Sequence, residues 1–137
     1  MAHVLVVDDE PDILLLMRIN LEGRGHRVTL AADGEMALQR VLADPPDLVV
    51  LDVMMPVLDG WGVLEALGRK GLEIPVVVVS AKQDRSDSRK ALELGADQHL
   101  AKPFELEALV RAVEVHLGRS AEERRVARAD SLAVLPA

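Results

Sequence analysis

Two kinds of segment alternate along the chain. Short runs of valine and leucine recur at Val4–Val7, Val28–Ala31, Leu48–Leu51 and Val76–Val79, with a weaker fifth at His99–Ala101. Their apolar residues are continuous rather than alternating, which predicts strands of a parallel sheet buried on both faces. Between them lie amphipathic stretches. Asp12–Glu22 sets Ile13, Leu16, Met17 and Leu21 at helical spacing, and Gly23-Arg24-Gly25 ends it. Asp33–Leu42 follows and stops at Asp44-Pro45-Pro46. Gly62–Arg69 is short, and Asp84–Leu94 ends at Gly95. Glu105–Leu117 is the most regular, with Leu106, Leu109, Val110, Val113 and Leu117 on one stripe. A strand followed by a helix, five times over, predicts an α/β fold: an open, doubly wound, five-stranded parallel sheet flanked by five helices, with right-handed crossovers.

In such a sheet, ligands gather outside the carboxyl ends of the strands. Asp8, Asp9 and Glu10 follow the first apolar run, and Asp52 follows the third. The fourth run ends at Ser80-Ala81 and the fifth at Lys102-Pro103. Nothing in building a sheet requires this set. Clustered carboxylates repel one another, and a cation relieves that repulsion. Oxygen ligands select a hard cation, and two carboxylates with waters suit Mg²⁺. A carboxylate is also a competent nucleophile toward phosphorus. Lys102 and the Ser80 hydroxyl are suited to the oxygens of a transferred phosphoryl group. Asp52 stands alone after a central strand, so it is read as the nucleophile and Asp8-Asp9 as the metal-binding pair.

Composition narrows the alternatives. The 137 residues suit one domain, and a net charge of −7 argues against direct nucleic-acid binding. There is no cysteine, so disulfides and thiolate sites are excluded. His3, His26, His99 and His116 lack metal-ligand spacing. Neither a signal peptide nor a membrane span is apparent, and the expectation is a cytoplasmic protein. A P-loop and a G-x-G-x-x-G turn are both absent, which disfavours a nucleotide-binding enzyme.

The motifs together resemble the receiver domains of two-component response regulators. Val6-Val7-Asp8-Asp9-Glu10 resembles the family's acidic pair, and Asp52–Gly60 its acceptor segment. Ser80-Ala81, Gly95-Ala96-Asp97 and Lys102-Pro103-Phe104 follow in the family's order and spacing. The resemblance covers residues 3–117 and implies the flavodoxin-like arrangement of that family. It assigns 1–118 to the receiver domain and 119–137 to a C-terminal tail or linker. It implies phosphorylation at Asp52. It also implies Mg²⁺ held by Asp9, Asp52 and the backbone carbonyl of Met54, with Asp8 acting through water. A cis peptide before Pro103 is implied too. The expected partner is a sensor histidine kinase or phosphotransfer protein, with an output partner unspecified. The expected role is a signalling switch that takes part in its own phosphotransfer and dephosphorylation, not an enzyme on diffusible substrates. An aspartyl-nucleophile phosphatase would usually carry a second Asp two residues after the nucleophile, where Met54 stands here. A degenerate receiver used only for binding would lack Asp9, Asp52 or Lys102, and all three are present.

Other positions carry bland readings beside sharper ones. Glu10 is read as a cap of the first helix, and Gly60 as a turn glycine with positive φ. Met54 and Met55 are read as gap-fillers, but Met54 and Lys82 also occupy the positions that tune phosphate lifetime in this family. Trp61 is read as packed over the third helix. His99 takes the place of the family's switch aromatic. Its first reading is a packed ring that turns inward on activation. Its second is a group whose protonation resists burial and weakens the active state in acid. Charges on the fourth helix, fifth strand and fifth helix suggest a homodimer face with an Asp97–Arg111 pair. A short helix is expected over Ser120–Arg128.

Overall fold

The computed structural model describes residues 2–81 and 85–135. The strands are β1 (His3–Val7), β2 (Arg27–Ala31), β3 (Leu48–Asp52), β4 (Val76–Ser80) and β5 (Gln98–Ala101). They alternate with α1 (Pro11–Glu22), α2 (Gly34–Ala43), α3 (Gly60–Arg69), α4 (Arg85–Glu93) and α5 (Leu106–Leu117), and a further helix, α6 (Ala121–Val134), follows. The sheet is wholly parallel in the order β2-β1-β3-β4-β5. The fold class is as expected, and the helix expected in the tail is present as α6.

Alternation along each strand divides the core in two. Leu5, Val7, Val49, Leu51, Val76 and Val78 point to the face covered by α2, α3 and α4. Val4, Val6, Leu48, Val50, Val77 and Val79 point to the face covered by α1 and α5, where Met17, Leu21, Leu109 and Val113 meet them. β1, β3 and β4 are buried throughout, which is why their sequences read as unbroken apolar runs. β2 and β5 lie at the edges and are mostly half-buried, so Thr29, Gln98 and His99 are tolerated there.

The acceptor segment departs from one expectation. Gly60 is not among the residues with positive φ; Val57 is, at 69°. Gly60 answers instead to close approach. A Cβ there would lie 2.4 Å from the Asp52 carbonyl oxygen and 2.8 Å from Val53 Cα. Its N–H donates to the Val53 carbonyl at 2.9 Å, which draws the start of α3 against the end of β3. Asp59 caps α3 by accepting from Gly62 N–H at 2.9 Å. Gly95, with φ 101°, ends α4 as expected.

The tail helix is longer than the Ser120–Arg128 span. Ser120 and Glu123 form a reciprocal capping box that starts it. It packs against α4. Asp97, whose side chain is 1% exposed, accepts from Arg124 at 3.3 Å, Arg128 at 3.0 Å and the Val76 N–H at 3.0 Å. Within one chain, Asp97 is thus paired with α6, whereas the Asp97–Arg111 pair is expected across a homodimer face. A dimer through α4, β5 and α5 would have to replace those contacts.

Candidate functional site

β1, β3, β4 and β5 end at the same edge of the sheet, and their last residues meet there. Asp52 is the final residue of β3 and Ser80 the final residue of β4, both buried. Asp8 follows β1 directly and is buried, while Asp9 is exposed. Lys102 follows β5 and ties the edge together. Its ammonium donates to Asp8 Oδ2 at 2.9 Å, faces Glu10 Oε1 at 3.4 Å and lies 3.6 Å from Asp52 Oδ2. The peptide between Lys102 and Pro103 is cis.

The carboxylates of Asp8, Asp9 and Glu10 each bring an oxygen within 4.8 Å of the others. Such a donor set fits a hard divalent cation and no soft one. Asp52 lies outside that tight group and against Lys102 instead. Glu10 was expected to cap α1. It occupies the N-cap position, with Pro11 next, but makes no side-chain cap bond. Its carboxylate joins the acids and faces Lys102, while its N–H donates to Asp8 Oδ1 at 2.9 Å. The run of three acids was the available signal for this role.

Electrostatics set Asp52 apart. Burial, with the neighbouring Asp8 charge, pushes its carboxyl from 3.8 up to about 6. Lys102 and a hydrogen bond from the Met54 N–H act in the opposite direction. Burial would lower the Lys102 ammonium, but its bond to Asp8 and the charges of Asp52 and Glu10 outweigh burial and hold it above the usual lysine value. The acids are thus crowded, and one half-buried cation only partly relieves them. A second cation would complete the neutralisation.

His99 is held at both ring nitrogens. Nε2 and Ser80 Oγ are 2.8 Å apart, as are Nδ1 and Ser88 Oγ. The expectation of a packed aromatic substitute is replaced by a hydrogen-bonded bridge that is already turned toward Ser80. Burial lowers its imidazolium, with Asp87 opposing. Ser88 was not foreseen, since nothing local marks one serine of a helix as facing a strand eleven residues on. Met54 is 65% exposed and fills no gap, whereas Met55 packs against the core. Trp61 packs against the same core, with the Lys90 ammonium 4.6 Å from its ring centroid. Lys82 lies outside the described residues.

The fold and this edge define a class: a small doubly wound α/β domain whose carboxyl edge gathers acids around one lysine, a donor set that fits a hard cation. Comparison with known proteins narrows it. The family model of the response regulator receiver domain matches residues 4–114. The chain is 45% identical over 113 residues to the alkaline phosphatase synthesis transcriptional regulatory protein PhoP of Bacillus subtilis, covering 80% of this chain and 47% of that protein. It is 41% identical over 138 aligned positions to the transcriptional regulatory protein KdpE of Mycobacterium tuberculosis, covering 98% of this chain and 61% of that one. The solved receiver domain of the Francisella response regulator 1452 superposes with a TM-score of 0.83 at 32% identity, covering 85% of this chain and 97% of that one. The chain therefore belongs to the response regulator receiver domains, signalling domains of two-component systems whose family function is to accept a phosphoryl group. It spans about half the length of the curated relatives it matches. Receiver domains use Mg²⁺, and the acidic group is present. No helix among the described residues is long and apolar enough to cross a membrane.

Proposed function

We propose that Asp52 is the phosphoryl acceptor of this receiver domain. One observation carries the reading: Lys102 reaches the carboxylates of both Asp8 and Asp52 at the carboxyl edge of the sheet. The donor is a phosphohistidine of a sensor kinase or phosphotransfer protein, or a small phosphodonor. An Asp52 oxygen attacks phosphorus in line. The bond from phosphorus to the donor breaks as the new O–P bond forms, and the leaving group keeps the electron pair. Lys102 and Ser80 bind the phosphoryl oxygens. Asp9, Asp52 and the Met54 carbonyl would hold Mg²⁺, with Asp8 acting through a water. When bound, Mg²⁺ supplies charge neutralisation for the acids and the incoming oxygens. Met54 and Lys82 set how long the phosphoryl group lasts. Ser80 moves toward the phosphoryl group, His99 answers, and the α4–β5–α5 surface changes for a partner to read. Residues 1–118 form this receiver unit, and 119–137 are its tail or linker.

The test is incubation with Mg²⁺ and acetyl phosphate, read by intact mass and by mapping the modified peptide. The expected result is a single phosphoryl adduct at Asp52 that is lost in Asp52→Asn. An adduct that persists in that variant overturns the assignment.

A further inference from the structure

The tail helix is anchored unevenly. Its first half is fixed by a buried cluster, in which Arg124 and Arg128 share Asp97 and Arg124 also donates to the Glu73 carbonyl at 2.9 Å. Among the described residues, its last turns rest on α4 and β5 with much less. Arg89 Nη1 reaches the Leu135 carbonyl at 3.4 Å, and Val134 is 82% exposed. Beneath them is a gap of about 300 Å³ bordered by Ser88, Leu92, His99, Ser131, Val134 and Leu135. His99 thus touches Ser80 on one side and borders the seat of the helix end on the other.

We propose that Ser131–Leu135 form a strap over α4 and β5, seated while Asp52 is unmodified and released when Asp52 carries a phosphoryl group. The inference rests on Asp52 as acceptor and adds a regulatory element outside the site.

The coupling follows from hydrogen-bond polarity. A neutral imidazole donates at one nitrogen and accepts at the other, and a hydroxyl has one proton. Once Ser80 donates that proton to a phosphoryl oxygen, it can only accept from His99. His99 must then carry its proton on Nε2 and accept at Nδ1 from Ser88. The state of the acceptor site therefore dictates the polarity of a chain that ends on α4, one residue before Arg89. As Ser80 shifts toward the phosphoryl group, His99 follows it to keep the bond. The gap under Leu135 then widens, and the strap has few contacts with which to resist. The first half of α6 stays, because removing either arginine from Asp97 would strand a buried charge.

The experiment is amide hydrogen exchange on the full chain, with and without Mg²⁺ and beryllofluoride. Fluorine NMR reports whether the beryllofluoride adduct has formed. Exchange in 129–135 is expected to quicken about tenfold on adduct formation, with 121–128 unchanged. His99→Phe should form the adduct and show no quickening. By reciprocity, Arg89→Ala should bind beryllofluoride about fivefold more tightly than wild type. An adduct that leaves 129–135 unchanged, an equal response in His99→Phe, or unchanged affinity in Arg89→Ala overturns the strap alone. Failure to form any adduct overturns the acceptor assignment, and the strap falls with it.

Discussion

Asp52 is a residue that folding makes harder to ionise. Its carboxyl rises from 3.8 to about 6 as β3 carries it into a buried edge beside Asp8. Between those values the folded chain keeps a proton that the unfolded chain has lost. Stability therefore falls as pH rises through that window and stays lower above it. Asp52→Asn removes the charge and keeps the shape. It is expected to exceed wild type in stability by about 1–3 kcal/mol at pH 7.5 in chelator, with the gap closing by pH 4. Urea unfolding at both pH values checks this, and equal stability at pH 7.5 would refute it. At this scale the site was largely legible in sequence. Asp8, Asp52, Ser80 and Lys102 each end or follow an apolar run, so their meeting needed only the rule of carboxyl ends. The roles of Ser88 and Gly60 were not legible. They depend on which way a loop or helix turns a side chain, and on how closely α3 approaches β3.

Among the elements, α6 is where sequence and structure differ most. Its start was visible in Ser120 and Glu123, because a capping box is local chemistry. Its docking was hidden. Nothing local marks Arg124 and Arg128 for burial, and their partner Asp97 lies 27 and 31 residues earlier. Arg124→Ala should cost about 2–3 kcal/mol, toward the low end for a broken buried pair because Arg128 still reaches Asp97. Urea unfolding measures the loss, and amide exchange should show faster opening across 121–128. A change under about 0.5 kcal/mol, the range of ordinary surface substitutions, would mean that the cluster does not hold α6.

For the molecule as a whole, the strand order places β1 beside β3, with β2 and β4 outside them. The chain reverses its winding there, and the loops after β1 and β3 open on either side of a crevice. The crowded acids cost stability in return for a place to bind charge. Mg²⁺ is therefore expected to raise the melting temperature of the whole domain, by an amount equivalent to about 2.7 kcal/mol at a hundredfold excess over its dissociation constant. The rise should be lost in Asp9→Asn and should shrink below pH 6, as Asp52 takes up a proton that competes with the metal. Calorimetric scans across Mg²⁺ concentration check both. The uneven seating of α6 has a practical side as well. Ala2 lies at the amino edge of the sheet, near Pro75 and Gly118, whereas Leu135 lies beside Ser88 and His99. A fluorescent protein fused after the tail would start on the side that senses the acceptor, and one fused ahead of Ala2 would start at the opposite edge. The pair would make a biosensor whose energy transfer follows the chemical state of Asp52 with no output partner present.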